Sequence, residues 1–125
     1  MKRFFKCNSC GNMLLMVHQG GGPLKCCNKD MQELKANTEE ASTEKHLPVI
    51  SVSGDKITVS VGSVPHPMEE AHHIEFVYLE TKRGGQLKFF KLEETPTITF
   101  SLTEDELVAA YEYCNLHGLW KTEFD

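Results

Sequence analysis

Cys114-Asn115-Leu116-His117-Gly118-Leu119-Trp120 sets a thiolate and an imidazole three positions apart, followed by a glycine and an aromatic. A turn brings residues i and i+3 together, so both side chains can reach one metal ion. Cys-x-x-His also arises by chance, and its weight here comes from three other places: Glu44-Lys45-His46-Leu47-Pro48, His66-Pro67 and His72-His73. If these converge, several imidazoles and one thiolate surround a single ion. Pro67 directly follows His66, and Pro48 lies two positions after His46. Proline restricts the residue before it, which helps hold a ligand loop in a fixed shape. On a strand His72 and His73 point to opposite faces, so at most one reaches a shared ion, and the pattern leaves open which.

Four further cysteines lie close together in sequence. Cys7-Asn8-Ser9-Cys10-Gly11 is a metal knuckle, in which the glycine lets backbone N–H groups approach the sulfurs. The neighbours Cys26 and Cys27 complete a four-thiolate set in a segment running from residue 1 to about 36. A unit of under about 40 residues rarely folds without such help, and metal binding worth on the order of 10 kcal/mol exceeds what its few apolar side chains supply. Zinc and iron both accept four thiolates, and ligand identity does not separate them. Adjacent cysteines make one short backbone link serve two corners of a tetrahedron, so a distorted site is expected. His18 reads as a surface strand residue.

The elements that must position these groups are mostly strands. In residues 1–36 a strand from Met13 to His18 leads into the turn Gly20-Gly21-Gly22-Pro23. Gln32 to Lys45 is polar, lacks alternation and reads as a linker with at most a helical turn, so residues 37–45 begin the second domain as linker. Across 37–125 the pattern is β. Val49–Val52 and Ile57–Val61 flank a turn at Gly54-Asp55, a hairpin signal. A long strand from about His72 to Thr81 turns at Gly84-Gly85 and returns through Leu87–Leu92. Thr97–Leu102 is another strand, and Val108–Tyr113 feeds the terminal Cys-x-x-His loop. The expectation is a mainly β chain, a small four-cysteine metal domain followed by an immunoglobulin-like antiparallel sandwich.

Composition narrows the partners. A formal net charge of −5 argues against nucleic acid. No apolar run approaches the roughly 20 residues that span a bilayer, and Met1-Lys2-Arg3-Phe4-Phe5 has no apolar region of signal-peptide type after its basic residues. The odd cysteine count and the Cys-x-x-Cys pattern point to a reducing cytoplasm, where cysteines bind metal rather than form bridges.

Taken together, Glu44-Lys45-His46-Leu47-Pro48-Val49-Ile50, His66-Pro67 with a histidine six positions on, and Cys114-Asn115-Leu116-His117-Gly118-Leu119-Trp120 resemble the desulfoferrodoxin family of superoxide reductases. Cys7, Cys10, Cys26 and Cys27 resemble its desulforedoxin-type domain, with Asn28 where glycine is expected; asparagine tolerates left-handed backbone well. The resemblance covers essentially the whole chain. It implies two mononuclear irons, one held by the four cysteines. The other is square-pyramidal, with His46, His66, His72 and His117 in the plane, Cys114 axial and the opposite position open. It makes His72 rather than His73 the ligand. Neutral imidazoles suit ferrous iron, and an axial thiolate donates electron density to it. The implied activity is one-electron, two-proton reduction of superoxide to hydrogen peroxide, with an external donor such as a rubredoxin-like protein. Lys45 is then the cation that attracts the anion and orders a proton-delivering water. Glu44 is the carboxylate that closes onto the oxidised iron. Gly118 and nearby backbone N–H groups tune the sulfur, Trp120 packs beside the loop, and the chain forms a homodimer. The rival readings are a superoxide dismutase, a non-catalytic iron electron carrier and a cupredoxin-like copper protein. The last is disfavoured because no methionine follows His117 at a suitable distance.

Overall fold

The computed structural model describes residues 3–39 and 45–125, and the chain divides into two compact units, Met1–Lys35 and Ala36–Asp125. Among the described residues every regular element is a strand.

In the first unit β1 (Arg3–Lys6), β2 (Met13–Met16), β3 (Lys25–Cys26), β4 (Lys29–Asp30) and β5 (Gln32–Leu34) form two small sheets, of order β2-β1-β5 and β3-β4. β1 is central, and its Phe4 and Phe5 are both buried, although strand neighbours point to opposite faces. Their partners across the pair are Leu15 and Leu14. β5 corrects the linker reading of Gln32 onward. Gln32-Glu33-Leu34 shows no apolar alternation because what it supplies is backbone pairing to the free edge of β1. An exposed Arg3–Glu33 ion pair lies across the same strands, with contacts of 2.8 and 2.9 Å, and pairs of this kind add little stability.

In the second unit seven strands follow: β6 (Pro48–Ser53), β7 (Lys56–Val61), β8 (Ile74–Thr81), β9 (Gly84–Phe89), β10 (Thr97–Ser101), β11 (Leu107–Cys114) and β12 (Gly118–Glu123). They make two antiparallel sheets, β10-β7-β6 and β12-β11-β8-β9. Alternate residues Ile57, Val59 and Val61 of β7 pack with Ile74, Val77 and Leu79 of β8, Phe100 of β10, and Ala110 and Cys114 of β11 to form the core. The expected sandwich is therefore present, and the hairpin at Gly54-Asp55 closes with Ser53 opposite Lys56. Asn37 fastens the start of the unit to β12: its N–H donates to Leu119 O, and its C=O accepts from Lys121 N–H, both at 2.9 Å.

Three local expectations fail for identifiable reasons. The long strand begins at Ile74, not His72, because Glu69 and His72 first close a turn with mutual backbone bonds of 3.0 and 3.1 Å. Its return turn is Lys82-Arg83, and the glycines belong to β9. A Cβ on Gly85 would stand 2.0 Å from Tyr78 Oη, so that glycine makes room for a ring and not for a turn. The terminal segment is not loop throughout, since β12 starts at Gly118 and pairs with β11.

Candidate metal centres

The knuckle in the first unit closes through Gly11 N–H to Cys7 C=O and Cys7 N–H to Asn12 C=O, both 2.8 Å. Cys27 and Asn28 adopt φ of 53° and 61°. Two successive left-handed residues turn both adjacent cysteines inward, and asparagine replaces glycine at the second at small steric cost. The four sulfurs lie within 4.8 Å of one another, with Cys10–Cys26 at 3.6 Å and Cys26–Cys27 at 4.0 Å. A tetrahedral ion with bonds of about 2.3 Å sets its sulfurs about 3.8 Å apart. The donor set therefore fits one ion with modest distortion. All five cysteines of the chain are free of disulfides.

The thiols titrate against each other. Backbone N–H groups of Cys10 and Ser9 lower Cys7 to about 6, whereas hydrogen bonding to Cys10 and Cys7 pushes Cys27 up to about 12. Several thiolates in one spot cannot all form without a cation among them. Cys10 and Cys27 are exposed and Cys7 is buried. Asn12 donates to two of the sulfurs, its backbone N–H to Cys10 at 3.5 Å and its Nδ2 to Cys26 at 3.6 Å.

In the second unit His46, His66, His72, Cys114 and His117 bring five donor atoms within 4.8 Å of one another. His46 precedes β6, His66 follows β7, His72 precedes β8, Cys114 ends β11 and His117 stands before β12. At Cys114 the β8–β11 register shifts, so that Tyr113 opposes Phe76 and Cys114 opposes Ile74. Such a bulge re-aims a side chain.

The four rings form a closed circuit. His46–His66, His66–His72, His72–His117 and His117–His46 have centroids 4.6, 4.7, 5.1 and 4.9 Å apart, each pair edge-on. His46 Nε2 lies 3.0 Å from His66 Nε2 and 3.1 Å from His117 Nδ1. With metal–nitrogen bonds of about 2.1 Å, neighbouring ligands at right angles lie about 3.0 Å apart and tetrahedral ones about 3.4 Å. The two spacings at His46 match neighbouring ligands at right angles more closely than tetrahedral ones. Cys114 Sγ is 3.7 Å from His66 Nε2 and 3.8 Å from His117 Nδ1. These two nitrogens occupy opposite corners of the circuit, and the sulfur is nearly equidistant from both.

The protonation pattern agrees. His66 Nδ1–H donates to Pro67 C=O at 2.7 Å, so in the neutral ring Nε2 turns a lone pair toward His46 Nε2 and Cys114 Sγ. Lone pairs converging at this distance repel unless a cation lies between them. The chemistry of the set, four imidazoles and one thiolate, suits a single metal ion.

Trp120 holds two of the five groups. Its ring stacks on His46, 4.7 Å between centroids at 12°, and its Nε1–H donates to His117 C=O at 3.1 Å. His73 is turned away, with Nδ1 against the carbonyls of Glu69 and Glu70 at 3.0 and 3.1 Å. His18 is exposed and joins neither group. Lys45 is half-buried beside His46; Glu44 lies outside the described residues. Gly62 is a residue that the sequence alone gave no reason to single out. Its φ is +80°, its N–H donates to Leu47 C=O at 3.2 Å, and a Cβ there would stand 2.4 Å from Lys45 O and 2.6 Å from Val64 O. The Lys45–Leu47 segment and the loop leading to His66 thus cross at a point where only glycine fits.

The sequence matches the family described as Desulfoferrodoxin over residues 38–123, and that family's N-terminal domain over residues 2–34. It is 44% identical over 119 residues to the desulfoferrodoxin of Nitratidesulfovibrio vulgaris, covering 95% of this chain and 94% of that one. It is 35% identical over 98 residues to the superoxide reductase of Pyrococcus horikoshii, covering 64% of this chain and 85% of that one. The crystal structure of the superoxide reductase from Treponema pallidum superimposes with a TM-score of 0.85 at 36% identity, covering 98% of both chains.

Proposed function

The chain belongs to the desulfoferrodoxin family, and on that premise we propose that it reduces superoxide to hydrogen peroxide, consuming one electron and two protons and releasing no dioxygen. The observation that carries the reading is the closed circuit of four imidazole rings with Cys114 Sγ beside it, five donor atoms within 4.8 Å of one another. Structural zinc prefers a closed tetrahedron of four ligands, whereas five nitrogen and sulfur donors gathered at one point would suit iron held by His46, His66, His72, His117 and Cys114. Cys7, Cys10, Cys26 and Cys27 hold the second iron. When bound, the five-ligand iron supplies the electron that superoxide accepts.

The chain's own residues supply the rest. Cys114, fully buried, would hold the iron through its thiolate and raise the electron density on it. Trp120 fixes the orientation of His46 and of the His117 backbone. Lys45, one residue from His46, offers the positive charge that draws the anion in and orders a water for protonation, with Glu44 as the neighbouring carboxylate. An external one-electron donor of rubredoxin type, a homodimeric assembly and a role in superoxide detoxification follow from family membership. The five free cysteines suit a reducing compartment such as the cytoplasm.

The test is to mix fully reduced, iron-loaded protein, without any electron donor, with a several-fold excess of superoxide, and to subtract uncatalysed dismutation measured in a protein-free control. One peroxide per ferrous ion oxidised, with no dioxygen, is the expected result. Dioxygen at half the superoxide consumed would make the protein a dismutase. Iron that stays ferrous would leave it a carrier.

A further inference from the structure

Asn115 sits inside the Cys114–His117 turn, and neither the sequence reading nor the proposed chemistry gives it a task. Its side chain reaches across to the segment that carries His72. Oδ1 accepts from His73 N–H at 2.8 Å, and Nδ2 donates to Ala71 C=O at 3.0 Å. Its own backbone N–H donates to His73 C=O at 3.1 Å. The two side-chain bonds therefore grip the residues immediately before and after His72, and the backbone bond adds a third tie. From the other side, Glu69 closes on His72 through two backbone bonds. His72 is thus held in a frame whose far edge is the turn bearing the thiolate and the exposed imidazole of His117.

We propose that Asn115 is the positioning residue that selects His72, not His73, as the fourth imidazole and fixes its angle to the Cys114–His117 pair. The two histidines are adjacent and chemically identical, so the choice between them has to be made by the backbone. Gripping Ala71 C=O and His73 N–H sets the direction of both peptides around His72. One ring enters the circuit between His66 and His117, and the other is left against the carbonyls of Glu69 and Glu70. An asparagine suits the task because one side chain must both accept and donate. The inference rests on the reading of the five-donor group as one metal site.

The test uses the full chain loaded with ferrous iron, and two readouts other than turnover: the rate at which a chelator removes the iron, and the ferric paramagnetic resonance spectrum after oxidation. Asn115→Ala removes both side-chain bonds and should speed iron loss roughly 10- to 100-fold, the range for residues that orient a ligand, with an altered ferric spectrum. Asn115→Asp keeps the acceptor for His73 N–H, so it should fall between Asn115→Ala and the unaltered protein, and it serves if the alanine variant folds poorly. His72→Ala supplies the decisive background. If Asn115 acts through His72, adding Asn115→Ala to His72→Ala should change neither readout further. Effects that multiply in the double variant, or iron release and spectrum unchanged in Asn115→Ala, would overturn the assignment. Failure of the unaltered protein to bind iron at the five-donor group would overturn the underlying reading instead.

Discussion

Lys45→Ala isolates the local field at the metal centre from the charge of the unit around it. Between residues 36 and 125 there are seven lysines and arginines against sixteen aspartates and glutamates, a balance of −9. A unit of this size has a radius of about 16 Å. Nine negative charges at that distance repel a monoanion by about 2 kcal/mol in unscreened water. Screening reduces this to about 1.4 kcal/mol at 0.01 M salt and about 0.3 kcal/mol at 0.15 M. A lysine about 6 Å from the anion, at an effective dielectric of about 20, attracts by roughly 3 kcal/mol, or about a hundredfold in local occupancy. Raising salt over the same range weakens that attraction by about 1 kcal/mol, so the two changes nearly cancel and the unaltered protein should react at an almost salt-independent rate. In Lys45→Ala only the repulsion remains. Its second-order rate constant should fall about 50-fold at 0.01 M and about 10-fold at 0.15 M, and should itself rise roughly 5- to 10-fold from 0.01 to 0.15 M salt. The assay is pulse radiolysis of the reduced protein in a non-coordinating salt, following the thiolate-to-ferric charge-transfer band. A variant as fast as the unaltered protein, or slow with an equally flat salt profile, would refute the steering argument. Lys45→Arg should recover most of the rate.

Other perturbations separate the parts of the site. Cys10→Ser should empty the four-sulfur centre in metal analysis while the five-donor iron still oxidises with superoxide at an unchanged rate; loss of that reaction would make the first centre obligatory. Gly62→Ala must push the Lys45 carbonyl or the Val64 carbonyl away from a Cβ now 2.4 and 2.6 Å from them. It should lower stability in denaturant by about 2 kcal/mol or more, since a non-glycine residue at positive φ alone costs about 1–2 kcal/mol, and it should slow the superoxide reaction. Trp120→Phe keeps a ring stacked on His46 but loses the bond to His117 C=O, so unfolding should show a loss of about 1 kcal/mol, whereas Trp120→Ala should lose about 3–5 kcal/mol. In the metal-free protein, Cys7 at about 6 is already a thiolate at neutral pH while Cys27, at about 12, keeps its proton. Loading a divalent ion at neutral pH should therefore release fewer than four protons in a pH-stat. As pH falls through about 6, Cys7 gains a proton that the ion must also displace, so affinity should drop more steeply there.

How much of this is readable from residues alone depends on which physical term sets each feature. The β6–β7 hairpin announces itself because alternate side chains face a core and the two-residue turn carries glycine. β5 does not, because its three residues contribute backbone bonds to β1 and its side chains are mostly exposed. Gly84-Gly85 looks like a turn, yet Gly85 is set by the Tyr78 ring from the neighbouring strand, a contact with no local signature. The metal donors are legible by type, since cysteine and histidine at short spacings have few other uses. Their roles are not. Nothing local distinguishes His72 from His73, because the distinction is made by Asn115, more than forty positions away. Gly62 escapes notice for the same reason, since its neighbours at Lys45 and Leu47 are brought there only by the paired strands.

The uneven spacing of the five ligands follows from the strands between them. In an antiparallel pair the first residue of one strand lies beside the last of its partner. Pro48 opposes Val61, which brings the approach to β6, with His46, beside the exit from β7 that leads to His66. Cys114 opposes Ile74 on one side and Gly118 on the other, which gathers His72, Cys114 and His117 at the same end of the second sheet. Two donors therefore come from one sheet and three from the other, and an ion bound by all five ties the sheets together. Only Cys114 lies within a strand; the four histidines stand in the connecting segments, so the paired strands set where each segment enters the site.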